Sequence, residues 1–241
     1  MAVRQLQLVL LRSAAGRNFP LPESFLNRLM TCFPGASVAE FVGDASSFER
    51  WFEKQEFSGA AQIFAQPLYI VGGEEYHQLL HVLGKNGLEA ANVGLPLLSG
   101  ESGPEKLASG LFEENSVYLN SGGAVFCVGH GSRLQSAERM YGNLGKCLNS
   151  LHPNLFVATL KTGLERIVPH LKNIRQIRLV PLLACAGGSS WRKIAGKEEE
   201  TLAWQLEGMG FKCEVSSFGL LESSTAQNIW LENICLGLAR K

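Results

Sequence analysis

Short apolar runs alternate with segments of helical periodicity from one end of the chain to the other, and that alternation limits the fold more than any other feature. Strands laid parallel need a crossover between neighbours, usually a helix, so the pattern predicts an α/β protein built on parallel sheets. Strand candidates are 5–11, 37–42, 61–71, 89–94, 124–128, 155–159, 176–184 and 213–218. Between them, Phe25, Leu26, Leu29, Met30 and Phe33 fall on one helical face. Leu134, Ala137, Met140, Leu144, Leu148 and Leu151 do the same after a Ser132 N-cap. Leu202, Leu206 and Met209, closed by Gly210, give another helix, and Ala226, Trp230, Ile234 and Leu238 give the last. Eight strands make one large sheet or two small ones.

The two halves repeat the same order of elements, strand then helix four times over. Pro67-Leu68 leading to Gly72-Gly73 answers Pro181-Leu182 leading to Gly187-Gly188, and Gly94-Leu95-Pro96-Leu97-Leu98 has its counterpart in Gly219-Leu220-Leu221. The repeat predicts two doubly wound lobes, 1–118 and 122–241, related by a pseudo-twofold axis, with the final helix crossing back to the first lobe. The Gly/Ser/Pro/Glu-rich stretch 99–104 and the Asn/Ser/Gly-rich stretch 115–123 read as a linker region near the join. Ligands of such sheets sit at the carboxyl ends of the strands, so the crevice between the lobes is the expected site.

Composition narrows the partners. With 22 basic and 22 acidic side chains the formal net charge is zero, and no block of five or more Lys/Arg occurs. That removes the long-range field on which non-specific nucleic-acid binding depends. Six scattered cysteines without a C-x-x-C pair fit a reducing compartment. The apolar run of the N-terminus is broken by Gln and ends at Arg12, so it reads as a first strand and not as a secretion signal. The expectation is a cytoplasmic protein with neither nucleic-acid nor membrane partner; whether it forms an oligomer stays open.

The sharpest local feature is Val125-Phe126-Cys127-Val128-Gly129-His130-Gly131-Ser132-Arg133, an apolar strand that runs into a glycine-flanked histidine and then a helix. Flanking glycines permit a tight turn and leave the imidazole unobstructed. His130 at that edge can accept a proton near neutral pH or touch a divalent metal, or it can simply cap its loop; the position and the glycines favour the functional reading. Gly129 and Gly131 match the start of G-x-G-x-x-G, but Leu134 occupies the third position, so a dinucleotide loop is not expected. Neither G-x-x-x-x-G-K-[ST] nor G-x-S-x-G is present. His77 and His81 share a helical face four residues apart, a spacing that is commoner on a plain half-exposed helix than in a metal site. His152 and His170 stand beside prolines and receive no role.

Taken in order, 66–76, 94–98, 128–132 and 181–196 resemble the anaerobic sirohydrochlorin cobaltochelatases of cobalamin biosynthesis, class II tetrapyrrole chelatases. The resemblance covers nearly the whole chain. It implies two α/β lobes around a tetrapyrrole cleft, Co2+ as a substrate and no permanently bound cofactor.

The same resemblance implies a metal site of two histidines and a glutamate, of which only His130 is in place. Where a glutamate follows a strand in the family, this chain reads Ala158-Thr159-Leu160-Lys161; where an Asp-His pair stands, it reads Ala186-Gly187-Gly188-Ser189. Leu11-Arg12-Ser13-Ala14-Ala15-Gly16 replaces a Phe-Gly-Thr-Ser-like loop, and Tyr69 replaces a common histidine. Like unit charges within about 5 Å repel by on the order of 1–3 kcal/mol at an effective dielectric of roughly 20–80, so an ammonium at Lys161 makes a poor neighbour for a divalent ion. The expectation is therefore a weakened metal site, with His130 as base or transient ligand. Arg133, Lys161, Ser189, Arg192 and Lys193 are expected near the cleft, where the cations suit the carboxylates of an early tetrapyrrole. Three functions follow: a chelatase inserting Co2+ or a related divalent ion, a degenerate paralogue that only binds a carboxylated tetrapyrrole, and an unrelated two-lobed protein with a structural His130.

Overall fold

The computed structural model describes residues 5–14, 17–55, 62–87, 92–100, 102–164, 168–186, 188–196 and 199–240. Two parallel sheets carry the fold. In the first, β1 (Leu6–Arg12) lies between β2 (Ser37–Val42) and β3 (Gln62–Pro67). In the second, β4 (Ala124–Gly129) lies between β5 (Leu155–Thr159) and β6 (Gln176–Leu182), with β7 (Lys212–Val215) pairing outside β6. The α/β class and paired parallel sheets predicted from the alternating runs are what the chain adopts.

Alternation within the central strands decides what lies on each face. Leu8 and Leu10 of β1 join Val125 and Cys127 of β4 in one core between the sheets, filled by α1 (Glu23–Cys32), α4 (Gly103–Asn120), α5 (Gln135–Leu151) and α8 (Ser224–Ala239). Val9 and Leu11 face the other way, onto α2 (Ala45–Glu53) and α3 (Glu74–Lys85). Ala124, Phe126 and Val128 likewise face α6 (Ser189–Ala195) and α7 (Leu202–Gly208). All six residues of β4 are buried, as a strand covered on both faces requires. α8 packs against β3 and α1 as well as α4, so the last helix reaches the first sheet.

The internal repeat is visible in the backbone. Pairing sets Leu11 opposite Pro67 and Val128 opposite Pro181. Beyond each proline the chain leaves its sheet: Leu97 and Leu98 donate to the carbonyls of Tyr69 and Ile70, while Leu220 and Leu221 donate to those of Leu183 and Ala184. Gly73 then caps α3 and Gly188 caps α6. These bonds correct the strand ends expected at 71 and 184, which fall at Pro67 and Leu182 because the following carbonyls serve a loop and not a neighbouring strand. A fourth strand over 89–94 is reduced, among the described residues, to one bridge between Ala65 and Val93. Residues 89–91 of that expectation, and Gly187, lie outside the described residues.

Two local expectations need correction. The stretch around 99–123 is not a linker: α4 runs for 18 residues through most of it, with Pro104 in its first turn. Leu107, Leu111 and Leu119 keep the helical period, and the polar Asn115 is accommodated by donating to the Leu111 carbonyl and accepting from Arg178. Gly110 allows α4 to cross α8, since a Cβ there would lie 2.3 Å from the Thr225 hydroxyl. Nor is Ser132 the N-cap of α5, which is Leu134; the Ser132 hydroxyl instead accepts from the Leu134 amide at 3.1 Å and shapes the turn before the helix.

A candidate active site between the two sheets

Hydrogen bonds from several elements hold the loop that carries His130. The ring follows β4, the central strand of its sheet, and is exposed. Gly131 takes φ +82°, a left-handed conformation that a Cβ disfavours. The Ser132 amide donates to Glu138 at 2.5 Å, and the Ser132 carbonyl accepts from Lys161 Nζ at 2.9 Å. Ser190 Oγ, from the first turn of α6, lies 3.0 Å from His130 Nδ1. The loop is held from α5, β5 and α6 together, so the imidazole has a defined place at the end of β4.

A cavity of about 380 Å³ opens beside it. Its walls come from both halves: Tyr69, Glu74, Glu75 and Tyr76 from the end of β3 and the start of α3, and His130, Ser189, Ser190 and Trp191 from the second sheet. Leu68, Ile70, Leu182 and Leu183 give it an apolar floor. Glu74 reaches the Ser132 hydroxyl at 3.4 Å across the cleft. The repeat explains this geometry, because the chain turns inward after each proline and both turns end on a glycine-capped helix facing the same gap.

The electrostatics are mixed. Arg12, 3% exposed, pairs with Glu40, donates to the Phe19 carbonyl at 2.6 Å and contacts Cys185 Sγ at 3.4 Å, joining the ends of β1 and β6. Burial pushes the Tyr69 phenol well up, and the Glu75 carboxylate adds to it. Burial likewise raises Tyr76, and raises Tyr141 with help from Glu138. These phenols stay neutral at pH 7 and offer hydroxyls and flat apolar faces, not anions. Trp191 Nε1 is buried with no hydrogen-bond partner, an unused donor on the cavity wall.

Of the residues singled out from sequence, the cavity takes in His130 and Ser189, and Arg12, Ser13 and Tyr69 where the chain departs from the family pattern. Lys161 is exposed and outside the lining, tied to the Ser132 carbonyl, and Gly131 sits against its Cβ. Arg133, Arg192 and Lys193 are exposed and do not line the cavity; the latter two lie one turn along α6 from Ser189. His77 and His81 are exposed on α3. Among the described residues no three His, Cys, Asp or Glu side chains come together in a way that could hold a metal ion. Sequence reasoning passed over Ser190, Glu74, Glu75, Tyr76 and Trp191. The matched glycines 73 and 188 were the available signal, since they mark two helices that start at one gap.

Two doubly wound lobes with a mostly apolar cavity at the carboxyl ends of their strands define an α/β fold of the chelatase type. The chain belongs to the cobalt chelatase (CbiK) family, whose model matches residues 44–237. It is 29% identical over 192 residues to the sirohydrochlorin cobaltochelatase CbiKC of Nitratidesulfovibrio vulgaris strain Hildenborough, a match spanning 76% of this chain and 66% of that protein, just under two thirds of its length. Among solved structures it is similar to SirB from Bacillus subtilis with Fe3+, at TM-score 0.62 and 14% identity, over 98% of this chain and 97% of that one. It is also similar to the sirohydrochlorin chelatase SirB from Bacillus subtilis subspecies spizizenii in complex with cobalt, at TM-score 0.62 and 12% identity, over 98% and 96%. At such identities the two solved structures speak to the fold alone. Among the described residues no helix is long and apolar enough to cross a membrane.

Proposed function

We propose that the protein inserts a divalent metal ion, Co2+ first, into sirohydrochlorin or a similar carboxylated tetrapyrrole bound between its two sheets. The observation that carries this reading is the exposed His130 at the end of the central strand, opening onto a cavity whose walls come from both lobes. The apolar floor and the neutral faces of Tyr69, Tyr76 and Trp191 suit a flat macrocycle inserted edge-on. Arg192 and Lys193, just outside, suit its peripheral carboxylates.

Insertion exchanges two pyrrole N–H protons for one metal ion. One N–H bond breaks as an Nε2–H bond forms on His130, and the electron pair left on the pyrrole nitrogen binds Co2+. The second proton leaves to water once the metal is seated. With Lys161 and Ser189 in place of a carboxylate and an imidazole, the protein holds the metal weakly and the macrocycle supplies most of the coordination. Positioning and proton abstraction then carry the rate, the latter contributing typically 10²- to 10⁴-fold. Unpaired thiols at all six cysteines fit a reducing, cytoplasmic setting.

A second reading, a protein that binds a carboxylated tetrapyrrole without metallating it, is favoured by the absence of a metal-donor cluster among the described residues. Purified protein incubated with sirohydrochlorin and Co2+, followed by absorbance, separates the two. Conversion faster than the protein-free control supports chelation; a shifted spectrum of bound free base without conversion supports the second reading; no spectral change refutes both.

A further inference from the structure

We propose that Ser190 is a positioning residue that sets the tautomer of His130, keeping the ring proton on Nδ1 and turning the Nε2 lone pair to the cavity. The inference deepens the proposed chelation and rests on it for its purpose. Its observation is the 3.0 Å contact between Ser190 Oγ and His130 Nδ1. Which nitrogen of a neutral imidazole carries the proton is decided by the bond its other nitrogen makes. A serine hydroxyl has one donor and two acceptor lone pairs, so it can accept from Nδ1–H and keep its own proton for solvent.

The chemistry chooses between the two arrangements. If the hydroxyl donated to Nδ1, the ring proton would sit on Nε2, and the cavity side of His130 would present a donor to the pyrrole N–H, another donor. No proton could move and no metal could be touched. With the proton on Nδ1, Nε2 accepts the pyrrole proton, and Ser190 goes on accepting from Nδ1–H in the doubly protonated ring. Nothing has to reorganise when the charge appears.

The surroundings make Ser190 the partner for this task. Ser132 is already committed to Glu138 and Lys161, so the ring is oriented by the loop on one side and by α6 on the other. Among the described residues Ser189, also in the cavity lining, makes no hydrogen bond to the ring, so the neighbouring hydroxyl does not duplicate the contact.

Long-range ¹H–¹⁵N spectra of histidine-labelled protein test the proposal, with the His130 signals assigned by their loss in His130→Gln. The expected result is a neutral ring protonated on Nδ1 in the wild type, a shift toward the Nε2-protonated form in Ser190→Ala, and recovery in Ser190→Thr. Metal insertion should follow, kcat falling about 10- to 100-fold in Ser190→Ala with KM for the tetrapyrrole little changed, and recovering in Ser190→Thr. A wild-type ring protonated on Nε2, a tautomer identical in Ser190→Ala, or an unchanged kcat would overturn the proposal. The spectra need no turnover, so a protein that never metallates refutes chelation while the tautomer still decides the role of Ser190.

Discussion

Gly131→Ala isolates the backbone that places His130. Two costs combine. A left-handed conformation, φ +82° here, costs an L-residue roughly 1–2 kcal/mol. The new Cβ would also stand 3.0 Å from Lys161 Cβ and 3.2 Å from Thr159 Cβ, atoms attached directly to the backbone at the end of β5 and in the turn after it, so they cannot swing away. Overpacking of that kind costs about 1–3 kcal/mol, so the total is about 2–5 kcal/mol. For a chain of this size each kcal/mol lowers Tm by about 2–4 °C, giving a fall of about 4–20 °C. Gly122→Ala is the control: φ is +86° but nothing lies within 4 Å of the added carbon, so only the conformational part should appear. The assay is thermal unfolding of both variants, followed by metal-insertion rates. Gly131→Ala should also lose on the order of 10²-fold in rate through displacement of the imidazole. Should Gly131→Ala prove no more costly than Gly122→Ala, the crowding against β5, and with it the account of how the loop is held, is wrong.

Restoring the ligands that the family resemblance leads one to expect, by Lys161→Glu with Ser189→His, should raise Co2+ affinity in calorimetry; binding no better than the parent would show that these positions do not converge on a metal. Asp44, the N-cap of α2, accepts from the Ser47 hydroxyl, the Ser47 amide and the Ser46 hydroxyl, which together lower its pKa from 3.8 to about 2. A depressed carboxylate contributes stability above its unfolded pKa and loses it as pH falls through the folded one. Asp44→Ala should therefore melt below the wild type at pH 7, and the gap should close between about pH 4 and pH 2; a gap independent of pH would mean that the cap does not work through the charge.

Much of this architecture was legible in the residues because the central strands are apolar runs and each core helix keeps its period. β2 and β5 fall at the limits read from sequence, Ser37–Val42 and Leu155–Thr159. α4 was hidden because its polar residues were weighed by composition, while what makes Asn115 tolerable is tertiary, the Leu111 carbonyl and Arg178. The strand ends at Pro67 and Leu182 were hidden because the carbonyls beyond them are claimed by residues 28 and 37 positions away along the chain. At the site, His130 stood out through its glycines. Ser190 did not, since a serine in a Gly/Ser run carries no signal until α6 brings it to Nδ1. The place of Lys161 is similar: its residue type argued against a metal, but its bond to the Ser132 carbonyl belongs to the folded loop.

The most direct test of the central claim is the rate of Co2+ insertion into sirohydrochlorin by wild type and His130→Ala, measured with saturating tetrapyrrole and with binding of the free macrocycle checked by fluorescence. The account predicts that the variant binds the tetrapyrrole as the wild type does and inserts metal about 10²- to 10⁴-fold more slowly. Equal rates would contradict it, because His130, the imidazole lining the cavity among the described residues, would then take no part in the reaction.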